Sequence, residues 1–195
     1  MNRAGTIMAL AALVVLTSCL PVYSVHPFYS DKDVVFEPKL LGTWFDPSDK
    51  DNQGNIVFEQ SDTNAYKITL TDPTKKPSVA ARLDARLLKL NGRLFIDAIQ
   101  SRFEVEGEDQ LVLEIPGHMI GRVTLGDDGL TMRFLDDEWT QKALHAGTIS
   151  IRHEDLDDGT PVLTAGTPDL QKLILDIAND DHAFAIGVSE FRRKK

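Results

Sequence analysis

Few residues in this 195-residue chain combine type and spacing in a way that does chemistry. The histidines are His26, His118, His145, His153 and His182, and no two stand at a metal-binding spacing such as H-x-x-x-H. His153-Glu154-Asp155 gathers charge, but neighbouring residues on a strand point to opposite faces. No serine sits in the sharp G-x-S-x-G turn that activates a nucleophile; Ser189 lies in Val188-Ser189-Glu190. Gly117 to Gly121 lacks the downstream lysine of a phosphate-binding loop. The 30 carboxylates allow many acid–base pairs, and nothing singles one out. The best metal candidate is a weak calcium-loop pattern, with oxygen ligands Asp49, Asp51 and Gln53 at relative positions 1, 3 and 5 and Gly54 at position 6. Its twelfth position is Gln60 where a bidentate glutamate is needed, Glu59 comes one residue early, and the flanks read as strands. A polar turn is the better reading. The sequence thus points to a non-enzymatic protein with no cofactor.

The one residue with a specific covalent chemistry is Cys19, the only cysteine. A short n-region with Arg3 precedes an apolar run from Ile7 to Leu16, then small residues, then the cysteine. A membrane-spanning helix needs about 18 apolar residues or more, so this run has the length of a signal-peptide core. A plain secretory signal would leave a lone thiol in an oxidising compartment. Leu16-Thr17-Ser18-Cys19 resembles the lipobox of bacterial lipoprotein precursors. That resemblance implies cleavage after Ser18, a diacylglyceryl group on the Cys19 sulfur and an acylated, palmitate-type N-terminus. It also implies a lipid-anchored place in the bacterial cell envelope. Leu20, in place of the aspartate that retains such proteins at the inner membrane, is compatible with the outer membrane, facing the periplasm in a Gram-negative host. The stretch from Tyr29 through Asp33, Phe36, Pro38 and Leu41 to Trp44 is similar to the opening of uncharacterised envelope lipoproteins, a likeness that implies no activity.

Three segments follow: a signal peptide over 1–18, a lipidated tether and approach segment over 19–38, and a single β-rich domain over 39–195. Cleavage leaves 177 residues of the 195, enough for one domain with a real core. Only Arg3 of the 21 basic residues is lost, so 20 remain against 30 acidic ones. Such a surface repels nucleic acid and anionic headgroups, so the expected partner is a membrane reached through the anchor. The basic tail Arg192-Arg193-Lys194-Lys195 reads as a solvated end.

The elements that must position any site are mostly strands. Pro21, Pro27 and Pro38 break up the approach segment, yet Tyr23, Val25, Phe28, Tyr29 and Phe36 are too apolar for a free linker. Strands are expected over 40–45, 56–59 and 65–71. The alternation of Val79, Ala81, Leu83, Ala85 and Leu87 with Arg82, Asp84 and Arg86 predicts a long strand. Asn91-Gly92 predicts a two-residue type I′ turn that pairs Leu87 with Ile96, Ala85 with Ala98 and Arg86 with Asp97. A second hairpin at Asp128-Gly129 would pair Leu125 with Met132, Val123 with Phe134 and Thr124 with Arg133. A third turn, Asp157-Asp158-Gly159, separates 148–154 from 162–165, where Pro161 suggests an edge. A short helix capped by Asp136 or Asp137 runs to Gly147, and a stronger one spans Thr167–Asn179 with Thr167 as N-cap. Leu170, Leu173, Ile174 and Ile177 form its apolar face, which would pack on the outside of a curved sheet. A last strand is expected within 183–191.

The fold class read from this layout is β-rich (α+β): an antiparallel, calycin-like barrel or sandwich of about eight to ten strands with one or two packed helices. Gly42-Thr43-Trp44 resembles the G-x-W of lipocalins and related calycin barrels. By that resemblance Trp44 closes one end of a barrel beneath a late cationic side chain, here Arg152 or Arg192. The second lipocalin motif, T-D-Y, is replaced by Thr71-Asp72-Pro73. Leu83, Leu87, Ile96, Met132 and Phe134 would line the interior with Trp44 and suit a lipid-like, apolar or amphiphilic ligand. They suit a filled core equally, which would leave an assembly or scaffold role toward another envelope protein.

Overall fold

The structure, a computed structural model, describes residues 21–48, 54–72, 79–105 and 117–194. Cys19 and the calcium-loop candidates Asp49, Asp51 and Gln53 lie outside the described residues.

Among the described residues, twelve strands and two helices follow in chain order: β1 (Tyr23–Ser24), β2 (Val34–Val35), β3 (Gly42–Phe45), β4 (Asn55–Asp62), β5 (Ala65–Asp72), β6 (Val79–Leu90), β7 (Arg93–Val105), β8 (His118–Leu125), β9 (Gly129–Phe134), α1 (Asp137–His145), β10 (His153–Asp155), β11 (Pro161–Leu163), α2 (Thr167–Ile177) and β12 (Ile186–Arg193). A 3₁₀ turn at Pro38–Leu40 precedes β3. Strands β3 to β9 pair with their sequence neighbours, β12 joins β9 to β3, and β8 pairs with β9, so the ring closes on itself. Every pairing around it is antiparallel. The chain is a closed eight-stranded, calycin-like barrel, and closure gives each strand of the ring a neighbour on both sides. Strand β1 adds to β8 and runs parallel to β11, which carries β10, while β2 adds to β6.

Strand alternation feeds two cores from the same segments. Leu87 and Ile96 point into the barrel, and their neighbours Leu88 and Phe95 point out. The outer core packs Leu88, Phe95 and Ile120 against Leu170, Leu173, Ile174 and Ile177 of α2. Helix α2 therefore covers the outside of the wall, as its apolar stripe requires. Val22 and Phe28 are fully buried in the same layer, so the approach segment is docked on the barrel.

The β6–β7 hairpin has the expected register: Leu87 opposite Ile96, Ala85 opposite Ala98, Arg86 opposite Asp97. Asn91 (φ 46°) and Gly92 (φ 79°) both take the left-handed conformation that the I′ turn demands. The β8–β9 register differs from expectation. Leu125 pairs with Leu130, Thr124 with Thr131 and Val123 with Met132. Gly126 N–H donates to Gly129 O at 2.8 Å, so the loop holds Asp127 and Asp128 instead of Asp128 and Gly129. The shift is two residues, an even number, so Met132 and Phe134 keep their inward face.

Three further expectations need correction. Residues 148–152 form no strand; β10 starts at His153. Pro161 is not on an edge, because β11 lies between β10 and β1; as the first residue of its strand it is tolerated. Helix α2 is capped by Gly166, and Thr167 is its first residue, whose hydroxyl donates to Pro27 O at 2.7 Å and ties the helix to the approach segment. Helix α1 is capped as read: Asp136 accepts from Trp139 N–H at 2.7 Å, and Gly147 (φ 67°) follows its C-terminus.

Candidate functional site

The six residues proposed from sequence as ligand-lining belong to one cluster inside the barrel. Trp44, Leu87 and Ile96 are fully buried, Met132 nearly so, and Leu83 and Phe134 partly.

One end of the barrel is closed by a compact device. Trp44 Nε1–H donates to Leu40 O at 2.8 Å, which satisfies the indole and draws the 3₁₀ turn across the opening. Leu40 is fully buried beneath it. The guanidinium of Arg193, at the end of β12, lies 4.4 Å from the Trp44 ring centroid. It also donates to Leu41 O at 2.6 Å and to Lys39 O. The cation over the tryptophan is thus Arg193. Arg192, its neighbour, alternates outward and sits 4.0 Å from Glu190. Arg152 lies in the loop before β10 and flanks α2. Gly42 follows from the same geometry: its φ is 115°, and a β-carbon there would stand 2.9 Å from Arg193 Nη1.

Next to this plug the interior is filled by aromatic rings. Phe58 and Tyr66 meet edge to face at 6.3 Å, and Phe36 stacks on Tyr66 at 5.1 Å. The Tyr66 hydroxyl accepts from Glu37 N–H at 2.7 Å and donates to Glu37 O at 3.3 Å. Burial raises its pKa above the ordinary phenol value.

Toward the opposite end, where β5 and β7 finish and β6 and β8 begin, the inward side chains Leu70, Leu83 and Phe134 are partly buried, as Leu94 and Leu125 are toward the plugged end. Gln100 pairs with Leu83 and so shares its inward face. Its Nε2 is sealed from solvent and has no hydrogen-bond partner.

Among the described residues, the clefts that indent the outside include two next to the approach segment and α2. One of about 320 Å³ is lined by Tyr29, Asp62, Asp84, Arg86 and Asp97. The other, of about 620 Å³, runs between Ile149, Ile151 and Arg152 on one side and Lys172, Leu173 and Asp176 of α2 on the other. None of the six expected ligand residues lines either cleft.

Sequence reasoning missed Arg193, Gln100 and the role of Asp97. Asp97 is 2% exposed and does more than face Arg86. One carboxylate oxygen accepts from Phe28 N–H at 2.7 Å and the other lies 2.7 Å from His118 Nδ1. Arg86 rests over the Tyr29 ring, 5.3 Å from its centroid. This group fastens the approach segment to the barrel wall. Among the described residues no group of three histidine, cysteine, aspartate or glutamate side chains could hold a metal ion, and no helix is long and apolar enough to cross a membrane.

Compared with known proteins, the chain matches no family model, no curated protein and no solved structure.

Proposed function

We propose that this chain is a lipid-anchored protein of the bacterial cell envelope whose barrel binds an apolar or amphiphilic small molecule. One observation supports the reading: the closed barrel is plugged at one end by Trp44 and Arg193, and its inner face is lined by apolar side chains such as Leu70, Leu83, Leu87 and Ile96. An acyl chain would enter such a cup from the end away from the plug. With Cys19 acylated, Leu20 alone separates the lipidated residue from Pro21, which bridges Asp136 on the barrel. The cup would then stand against the bilayer, where such molecules are dissolved.

Two experiments test the two halves. Cys19→Ala should abolish fatty-acid labelling and move the protein to the soluble fraction; label retained on the mutant would sink the anchor. Protein begun at Leu20 should bind a fluorescent acyl analogue saturably and change its tryptophan emission. A broad lipid panel without saturable binding would sink the ligand. A second reading, a surface for another envelope protein, draws support from the groove of about 620 Å³ beside α2, where Ile149 and Ile151 meet Leu173.

A further inference from the structure

The approach segment leaves little slack between the barrel and residue 19. Val22 N–H donates to Leu135 O and Val25 N–H to Leu163 O, both at 3.0 Å. Phe28 N–H donates to Asp97 at 2.7 Å, and Phe28 O accepts from Gln171 Nε2 at 2.9 Å. Val22 and Phe28 are buried, so the segment belongs to the fold from Pro21 onward. Two residues of extended chain span at most about 7 Å, and Cys19 is therefore held within that reach of Pro21. Pro21 itself has defined neighbours. It bridges Asp136, the cap of α1. Strand β1 runs parallel to β11 with Tyr23 beside Val162, so Pro21 stands level with Thr160, where the turn before β11 ends. That turn is stiff: Leu156 N–H donates to Thr160 O at 3.0 Å, Gly159 N–H to Leu156 O at 2.8 Å, and Gln141 of α1 to Gly159 O at 2.5 Å. Leu156 is 53% exposed, the most exposed large apolar side chain among the described residues. A lone exposed leucine is ordinary on a protein surface. This one stands on a stiff turn beside the point where the chain must reach residue 19. Glu138, Asp157 and Asp158 around it are exposed and acidic, and Glu138 holds the neighbouring cation Lys142 at 2.5 Å.

We infer that the face around Pro21, Leu156 and the start of α1 is the face that lies on the bilayer, and that its partner is a bilayer surface poor in anionic lipid. This rests on the reading of Cys19 as acylated. The acyl chains supply the affinity, and the short link to a docked segment supplies the orientation. Leu156 touches the headgroup layer and goes no deeper, because Asp157 beside it would have to shed its water unpaired. Anionic headgroups repel Glu138, Asp157 and Asp158 across a screening length of about 8–10 Å at ordinary salt, and zwitterionic headgroups do not.

The test uses the full chain, processed in a bacterium that acylates lipoproteins and inserted into phosphatidylcholine vesicles with a nitroxide on some of their headgroups. Leu156→Cys and Thr63→Cys are each labelled with a thiol-reactive NBD dye. Thr63 lies in the turn between β4 and β5, across the ring from β8 and β9. An acylated Cys19 is a thioether and takes no dye, so each variant carries a single probe. Quenching at position 156 should exceed that at position 63 by about threefold or more, since the width of the barrel separates them. Equal quenching, or more at position 63, would overturn the proposal while leaving the anchor intact. About twenty glycine and serine residues inserted between Leu20 and Pro21 give the link a reach of about 25 Å, and the two positions should then be quenched alike. A difference that survives the insertion would overturn the short link as its cause. Replacing a third of the phosphatidylcholine by phosphatidylglycerol should lower quenching at position 156 at low salt and leave it unchanged at high salt. No drop at low salt would overturn the headgroup preference. Dye taken up by the wild-type chain would instead show a free Cys19 thiol and overturn the anchor itself, and this inference with it.

Discussion

Arg193 and Arg192 are adjacent in sequence and alike in chemistry, yet the barrel gives them different work, and this makes a sharp test. Arg193→Met keeps the apolar stem and removes the guanidinium. The contact over Trp44, at 4.4 Å from a fully buried ring, contributes about 1–2 kcal/mol. The hydrogen bonds to Leu41 O and Lys39 O add about 1 kcal/mol each in net terms, since the freed carbonyls regain some water. The expected loss is therefore about 3–4 kcal/mol, a large part of a typical domain's stability of about 5–15 kcal/mol. Arg193→Lys keeps the charge but not the fork that serves two carbonyls, and should lose about half as much. Arg192→Met removes an exposed side chain whose nearest anion is 4.0 Å away, and should change stability by no more than about 0.5 kcal/mol. Urea unfolding followed by tryptophan emission measures all three by linear extrapolation. A loss below about 1 kcal/mol for Arg193→Met, or equal losses at the two positions, would refute the plug as a source of stability.

Two other expectations follow from single residues. Gly92→Val should destabilise by more than about 1 kcal/mol, from backbone conformation alone, because φ there is 79° and nothing lies within 4 Å of a β-carbon; an unchanged thermal midpoint would rule this out. Tyr66 should make the fold alkali-sensitive. Burial raises its pKa above 10.0, so the folded state holds the proton more tightly than the unfolded one. Its contribution is intact below the unfolded pKa and is lost as pH rises from there through the folded one. Urea midpoints from about pH 8 to 11 should fall more steeply for wild type than for Tyr66→Phe; parallel slopes would show that the hydroxyl is not desolvated.

What was legible in the sequence was what depends on near neighbours. The Asn91-Gly92 turn fixes register because only a few residue types accept positive φ at both positions, and the pairing of Arg86 with Asp97 follows by counting. The β8–β9 turn misled because Gly129 there needs no positive φ; Gly126 opens the turn instead, and a glycine–aspartate pair does not reveal which end of the loop it marks. Thr167 looked like a cap because its chemistry suits one, but its hydroxyl is taken by Pro27, 140 residues away.

The site shows the same division. Trp44, Leu83, Leu87, Ile96, Met132 and Phe134 are found together because period-two alternation and an even register error both preserve the face. Arg193 escaped because the choice between two adjacent arginines is made by the pairing of Trp44 with residue 193, a contact across almost the whole chain. Gln100 left a local trace: it is a polar residue at the apolar parity of its strand, two positions after Ala98 and four after Ile96. Alternation broken by one uncharged polar residue reads as a strand end, and only closure of the barrel makes that position interior. The inward amide of Gln100 is therefore a departure from pattern that becomes visible only in the ring of strands around it.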